Sequence, residues 1–295
     1  MAAPATLALE RCPVCGGQGG RDFALGDAAL RECASCGAVH SRLYADPDAV
    51  YVDGYYSGDT EFGIDVRHPR FQAFLAEVNA HRAALLAKLV GEPLRVLDVG
   101  CGTGDFLAAG RERGWTAVGV DPIEQSGEIA RGRGLDVRTS MLEDSGVPPG
   151  EWDVVSAFHV LEHVPDAAAF LRLLASWVRP GGYVLVESPN WDSQVRLASG
   201  DGYVHLRPLE HLIHLTPDTV RVAMQRAGLE PAEMRTPTWP SRLHTPQQAL
   251  ADVGRWSWSR LPGPLARAAA AAARAADARR GRGMVVWGLA RVPAG

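Results

Sequence analysis

The sequence predicts an α/β protein, built on a parallel sheet with helices on both faces and preceded by a small metal-bound module. Three observations carry this. From residue 94 onward, short apolar runs alternate with helical periodicity. A glycine-rich turn, Gly100 to Gly104, joins the first apolar run to the first helix that follows it. Four of the five cysteines fall in two close pairs before residue 40.

The elements follow in order. Cys12-Pro-Val-Cys15 and Cys33-Ala-Ser-Cys36 are separated by 17 residues, and each pair is followed by a glycine, Gly16 or Gly37. That is the spacing of a zinc ribbon over residues 1–45. Four thiolates on one ion leave no open position, so the expected role is structural. Two disulfides or a redox pair are the alternatives. A reducing compartment and the lack of a strand–helix context disfavour them. Residues 46–92 read as a connector, rich in Tyr, Asp and Gly, and then a helix from Pro69 to about Val90. Phe71, Phe74, Leu75, Val78, Leu85, Leu86 and Leu89 give that helix its apolar face. Residues 93–295 form the main domain. Its expected strands are 94–99, 116–120, 153–158, 183–187 and 284–292. Its expected helices are 106–113, 167–178 and one from Pro217 to Gly228. An Ala/Arg-rich helical insertion occupies 239–283.

The chain has 295 residues, is 46% hydrophobic and 22% charged, and carries a net charge of −4. It can bury a sizeable core, and a general polyanion binder is disfavoured. No apolar run reaches the length of a membrane span, and the first residues lack the basic start and apolar stretch of a signal peptide, so a cytoplasmic address is expected.

The glycine turn has the form G-x-G-x-G. Asp105 stands where the dinucleotide pattern would place its last glycine. Asp121 ends the second strand, where a carboxylate accepts hydrogen bonds from both hydroxyls of a ribose. VLDVGCGTGDF, VGVDPIE, FHVLEHVPD and RPGGYVLVESPN together resemble the class I S-adenosylmethionine-dependent methyltransferases over roughly residues 70–235 and the last strand. The N-terminal cysteines and the PLEHLIHLTP segment are similar to a bacterial group acting on small molecules, related to nucleotide-sugar C-methyltransferases.

The resemblance implies a Rossmann-like, seven-stranded, mostly parallel sheet. It places the methionine part of the cofactor on Asp98, Gly100, Cys101, Gly102 and Gly104. The ribose falls to Asp121, and the adenine to Pro122 and Ile123, with the Leu142 N–H on its edge. Met141 has no acceptor for the adenine amine, and Glu143 is the substitute. Phe158 and His159 would flank the sulfonium. Cys101 reads as a small loop residue and not as a nucleophile.

Methyl transfer to a hydroxyl or an enolisable carbon needs a base, and histidine suits it near neutral pH. His211, paired with Glu210, is the first candidate, and His159 the second. His163 would help shape the site, and His214 would be structural. The Tyr that accompanies the Glu–His pair in the C-methyltransferases is replaced near Pro208.

The insertion carries eight arginines against Asp252 and Asp277. The plainer reading is a solvated helix. The sharper one lets Arg279 and Arg280 hold a phosphate or carboxylate of the acceptor. The expected function is transfer of a methyl group from S-adenosylmethionine to a sugar, a nucleotide sugar or a specialised metabolite, with O-methylation ahead of C-methylation. A zinc-ribbon RNA methyltransferase is one alternative, disfavoured by the zero charge balance of residues 10–42. A non-catalytic interaction scaffold is another. A homodimer is compatible with the sequence.

Overall fold

The apolar run after Pro93 forms β6 (Arg95–Val99), and every strand expected after it is present. A computed structural model of the chain describes residues 6–46, 68–240 and 261–294, with isolated positions between them. Most of the connector and part of the insertion, including Arg242, Arg255, Trp256, Trp258 and Arg260, lie outside the described residues.

β6 is followed by α2 (Asp105–Glu112), β7 (Thr116–Asp121), α3 (Glu124–Gly132) and β8 (Asp136–Thr139). Then come β9 (Trp152–Phe158), α4 (Ala167–Trp177), β10 (Val178–Pro189), α5 (Gln194–Ser199) and β11 (Ile213–His214). α6 (Pro217–Arg226), β12 (Glu230–Arg235), α7 (Gly263–Arg279) and β13 (Val285–Arg291) complete the order. The main sheet has seven strands in the order β12-β13-β10-β9-β6-β7-β8. β13 runs antiparallel between β10 and β12, and the remaining pairs are parallel.

Neighbouring residues on the central strands divide between two cores, as a sheet covered on both faces requires. Val96, Val154 and Leu185 pack with Phe106, Trp287 and α1 (Pro69–Val90). Leu97, Val155 and Val184 pack with α4 and α6. Cys12, Val14, Cys33 and Ala38 belong to that second core, so the cysteine module shares its interior with the sheet.

Two observations refine the sequence reading. β10 is longer than the expected 183–187 because Pro180, Gly181 and Gly182 form an irregularity within the strand, with a register shift between Val178 and Tyr183. The module's sheet crosses the expected division of the chain. β2 (Gly20–Leu25), β3 (Ala28–Cys33) and β4 (Val39–Ser41) are completed by β11, where Ile213 pairs with His40 and His214 with Val39. β1 (Thr6–Ala8) and β5 (Leu43–Ala45) pair separately. No described helix is long and apolar enough to cross a membrane.

The buried face of α1 carries a charge. Arg82, 6% exposed, donates from Nε (3.0 Å) and from Nη2 to Oε1 of Glu187, which is fully buried on β10. Removing one partner strands the other charge in the interior. Arg82→Ala should therefore lower stability by about 3–5 kcal/mol in urea unfolding, and the pair Arg82→Met with Glu187→Leu should recover most of it.

Candidate active site

The strand ends of β6, β7 and β9 meet on one side of the sheet, where ligands bind in folds of this kind. Gly100, Gly102 and Gly104 all have positive φ (71°, 51° and 77°), a conformation that a side chain would strain. A Cβ at Gly100 would also lie 2.5 Å from Val160 Cγ2, and one at Gly104 would lie 2.6 Å from Leu135 Cδ1. Asp98 is buried and accepts from Ser156 Oγ at 2.6 Å. Burial pushes its carboxyl up to about 7. Asp121 Oδ2 accepts from the Gly102 N–H at 2.8 Å, and Oδ1 accepts from Ile123 N–H and Ser126 Oγ. The carboxylate and the glycine turn are thus locked to each other.

Cys101 is buried with its sulfur against β7: a Cβ on Gly119 would sit 2.5 Å from it. Burial, Asp121 and Asp98 raise its thiol well above the ordinary value, so it is no nucleophile. Beyond β8, Leu142 is buried while Met141, Glu143 and Pro122 are exposed. Ser140, whose N–H reaches the Asp121 carbonyl at 3.2 Å, has a buried hydroxyl with no hydrogen-bond partner. That orphan and the adjoining Asp121 suit a nucleoside, with Ile123 and Leu142 as apolar walls. Ser140 carried no motif that the sequence reading used.

The second half of the site is a group of imidazoles around a buried carboxylate. His159 directly follows β9 and is the one non-glycine residue with positive φ (56°) among the described residues. Its Nδ1 lies 3.2 Å from Glu162 Oε1 and its Nε2 lies 3.7 Å from Glu187 Oε1. Burial pulls the ring's pKa down, but the bonds to Glu162 and then Glu187 outweigh it and lift it to about 9. His159 is thus an imidazolium at neutral pH, and the two glutamates are held below their ordinary range.

Around it His205, His211 and His214 stay neutral. Burial, with His159 as the leading charge against it, lowers His205 to about 4. Burial and His163 push His211 well below 6.5, and burial with Arg196 takes His214 to about 3. Glu162, Tyr203, His205, His211 and His214 line a cavity of about 10 Å³, completed by Pro189, Trp191 and Ile213. His214 Nε2, buried, has no hydrogen-bond partner, and the Tyr203 hydroxyl lies beside Ser193.

Of the residues anticipated from sequence, His159, His163 and His211 come together, and Phe158 packs between Phe106 and the Arg82 guanidinium. Glu210 takes a different position from the one its pairing with His211 suggested. Its carboxylate is bridged to Arg207 at 2.7 Å and its carbonyl accepts from His163 Nδ1 at 3.0 Å, whereas His211 Nδ1 donates to the His205 carbonyl at 2.9 Å. Arg279 and Arg280 are exposed at the end of α7. Glu162, Glu187, Arg82, Tyr203 and His205 went unrecognised. Glu162 and His205 carried one available signal, a charge and an imidazole flanking segments already marked by histidines.

The four cysteine sulfurs converge. Cys12 Sγ lies 3.6 Å from Cys36 Sγ and Cys15 Sγ lies 3.5 Å from Cys33 Sγ, with all four ligand atoms within 4.8 Å of one another. These separations exceed a disulfide bond. They match the edge of about 3.8 Å of a tetrahedron with metal–sulfur bonds near 2.3 Å, so the donor set fits a zinc ion. The module grips the site directly: Ser41 N–H donates to the Leu212 carbonyl at 2.9 Å and Ser41 Oγ to the His211 carbonyl at 3.1 Å.

The imidazoles set a pH dependence of stability with two signs. His205, His211 and His214 have folded values below 6.5, so the unfolded chain binds more protons as the pH falls from 6.5 toward about 4, and their contribution is lost through that window. His159 has the raised value, so its contribution is complete below 6.5 and is lost as the pH rises toward about 9. Urea unfolding across this range should show a decline on both limbs, and His159→Gln should flatten the alkaline one.

Residues 71–233, more than half of the chain, match a methyltransferase domain family. A ubiquinone biosynthesis O-methyltransferase of Bordetella bronchiseptica is 37% identical over 155 residues, covering 48% of this chain and 64% of that protein. The matched stretch thus spans less than two thirds of that relative. The protein of the same name from Bordetella avium is 34% identical over 178 residues, 55% of this chain and 73% of that one. A solved S-adenosylmethionine-dependent methyltransferase from Archaeoglobus fulgidus superposes with a TM-score of 0.51 at 22% identity, covering 73% of this chain and 94% of that one. One from Mesorhizobium loti gives 0.50 at 19% identity, covering 72% and 97%. At these identities the solved structures share the fold. The matched family region contains the glycine turn, Asp121, His159, Glu162 and His211, and the chain belongs to the methyltransferase domain family.

Proposed function

We propose that the protein methylates an oxygen of a small-molecule acceptor whose hydroxyl enters the cavity bounded by Glu162, Tyr203, His205 and His211. The observation that carries this is the set of neutral, desolvated imidazoles beside one charged imidazole at the end of β9. The O-methyltransferase names of the relatives support oxygen over carbon.

S-adenosylmethionine, when bound, supplies a methyl group already activated by its sulfonium. The chain's own residues do the rest. Asp121, Ser140 and the Gly100–Gly104 turn hold the nucleoside end, and Asp98 faces the amino-acid end. Phe158 and His159 border the reacting centre. His214 Nε2 is the unpartnered polar group an acceptor oxygen would satisfy. Its proton goes to a neutral imidazole of the His211 and His205 pair, whose Nδ1 on His211 is already committed to a carbonyl. His159, charged, opposes negative charge building on that oxygen. Glu210 acts as a positioning residue through its carbonyl on His163. Sugars, nucleotide sugars and hydroxylated specialised metabolites remain the acceptor classes to assay, with phosphate- or carboxylate-bearing members included because of Arg279 and Arg280.

His211→Ala should lower kcat by about 10²- to 10⁴-fold with cofactor affinity retained in calorimetry. Asp121→Ala should abolish that binding instead. A His211→Ala enzyme of normal kcat would sink the assignment of the proton. The cysteine cluster is proposed to hold one structural Zn²⁺. Metal analysis should find one cysteine-bound zinc per chain. Stripping it with a strong chelator should accelerate amide exchange at Ile213 and His214, the residues that pair with β4. Unchanged exchange would separate the ribbon from the site.

A further inference from the structure

We propose that Glu162, His163 and His211 form a second metal site, distinct from the cysteine cluster, for a divalent first-row cation. One carboxylate oxygen and two imidazole nitrogens would bind it, and its open side would face the cavity. The three potential ligand atoms lie within 4.8 Å of one another, and Glu162 Oε1 stands 4.0 Å from His163 Nε2. The rings of His163 and His211 meet edge to face with centroids 4.7 Å apart.

The outer contacts of these residues are those of ligands in waiting. A carbonyl can only accept, so the contacts to the Glu210 and His205 carbonyls place a proton on Nδ1 of His163 and of His211. Metal-bound histidines are oriented in this way, by a carbonyl on the far nitrogen. Glu162 is fixed similarly, with Ser188 Oγ donating to its Oε2 at 2.6 Å and His159 Nδ1 at its Oε1. All three side chains are thus held from behind.

A second observation points to a ligand. The cavity that Glu162 and His211 share with Tyr203 and His214 contains a buried polar atom without a partner, His214 Nε2. An ion on the triad would have its free coordination position there, with His214 Nε2 ready to bind a water or one acceptor oxygen. Nitrogen and oxygen donors without thiolate favour Zn²⁺, Co²⁺ or Fe²⁺ over a softer ion. Ligand atoms around such an ion stand closer than 4.0 Å, so loading draws Glu162 and His163 together. For its role in catalysis the inference rests on the acceptor entering this cavity. A bound oxygen would lose its proton more readily, and His205 would remain as the imidazole that receives it.

The test uses the full chain with its cysteine-bound zinc, without cofactor or acceptor, so that it is independent of the acceptor reading. Titration with Co²⁺ should add one equivalent per chain, with visible d–d absorption and no thiolate charge-transfer band. Proton NMR of that species should show two solvent-exchangeable, strongly shifted imidazole N–H signals, from His163 and His211. His211→Ala, and His163→Ala with it, should weaken cobalt binding by at least about tenfold, while the zinc content and the circular-dichroism melt report on folding. If those variants do not fold, the two shifted N–H signals of the unaltered protein decide the matter. No cobalt beyond the cysteine site at millimolar concentration would overturn the proposal, as would undiminished binding in folded variants or the absence of those signals.

Discussion

Two residues of backbone pairing tie the chemistry of this protein to its cysteines. Ile213 and His214 make a strand only because β4 of the ribbon lies beside them, and Ser41 adds bonds to the carbonyls of His211 and Leu212. A two-residue strand cannot stand alone in water. The ribbon is fixed in turn by its four converging thiols, by Arg226 reaching the Val14 carbonyl at 2.7 Å, and by the Ala167 N–H on the Pro13 carbonyl at 2.9 Å. Residues 170 positions apart thereby become one functional unit, and the N-terminal module is a structural wall of the site as much as a preface to it.

The electrostatics of that unit follow from burying carboxylates next to imidazoles. Glu162 and Glu187 are almost without solvent contact, and each recruits cationic partners in a medium that strengthens attraction and repulsion alike. His159 meets both carboxylates and keeps its proton. His205 faces that charge, so desolvation and repulsion act together on it, while burial and then His163 lower His211. Neighbouring copies of one amino acid are thus divided into a charged ring and neutral ones by position alone. The positive φ of His159 is the backbone cost of placing its ring between the two glutamates.

Much of this was legible in the chain. Alternating apolar runs marked the sheet, the G-x-G-x-G turn marked the passage from β6 to α2, and the cysteine spacing marked the four-cysteine cluster. Each is a local pattern imposed by backbone geometry or by the coordination of one ion. What stayed hidden is non-local. Arg82 and Glu187 are 105 positions apart and look like an ordinary helix charge and an ordinary strand acid. α3, β8 and β12 are short or weakly apolar, and tertiary pairing makes them regular. Glu210 misled for the same reason: adjacency to His211 suggested a carboxylate–imidazole pair, but the turn at Arg207 sends its side chain to the guanidinium. His205 and Tyr203 gain meaning only when the loop folds back over β9 and β10.

The antiparallel position of β13 has a consequence for how the chain is made. β13 sits between β10 and β12 yet is encoded after both, and after the helical insertion. During synthesis, β10 therefore emerges with one long edge unpaired, and it stays so while roughly a hundred further residues leave the ribosome. That edge, Val-Leu-Val at 184–186, is apolar and rich in β-formers, the kind of surface to which stray strands add. The sheet closes in a single late event, so yield in a foreign host should depend more on shielding the nascent edge than on the stability of the finished fold.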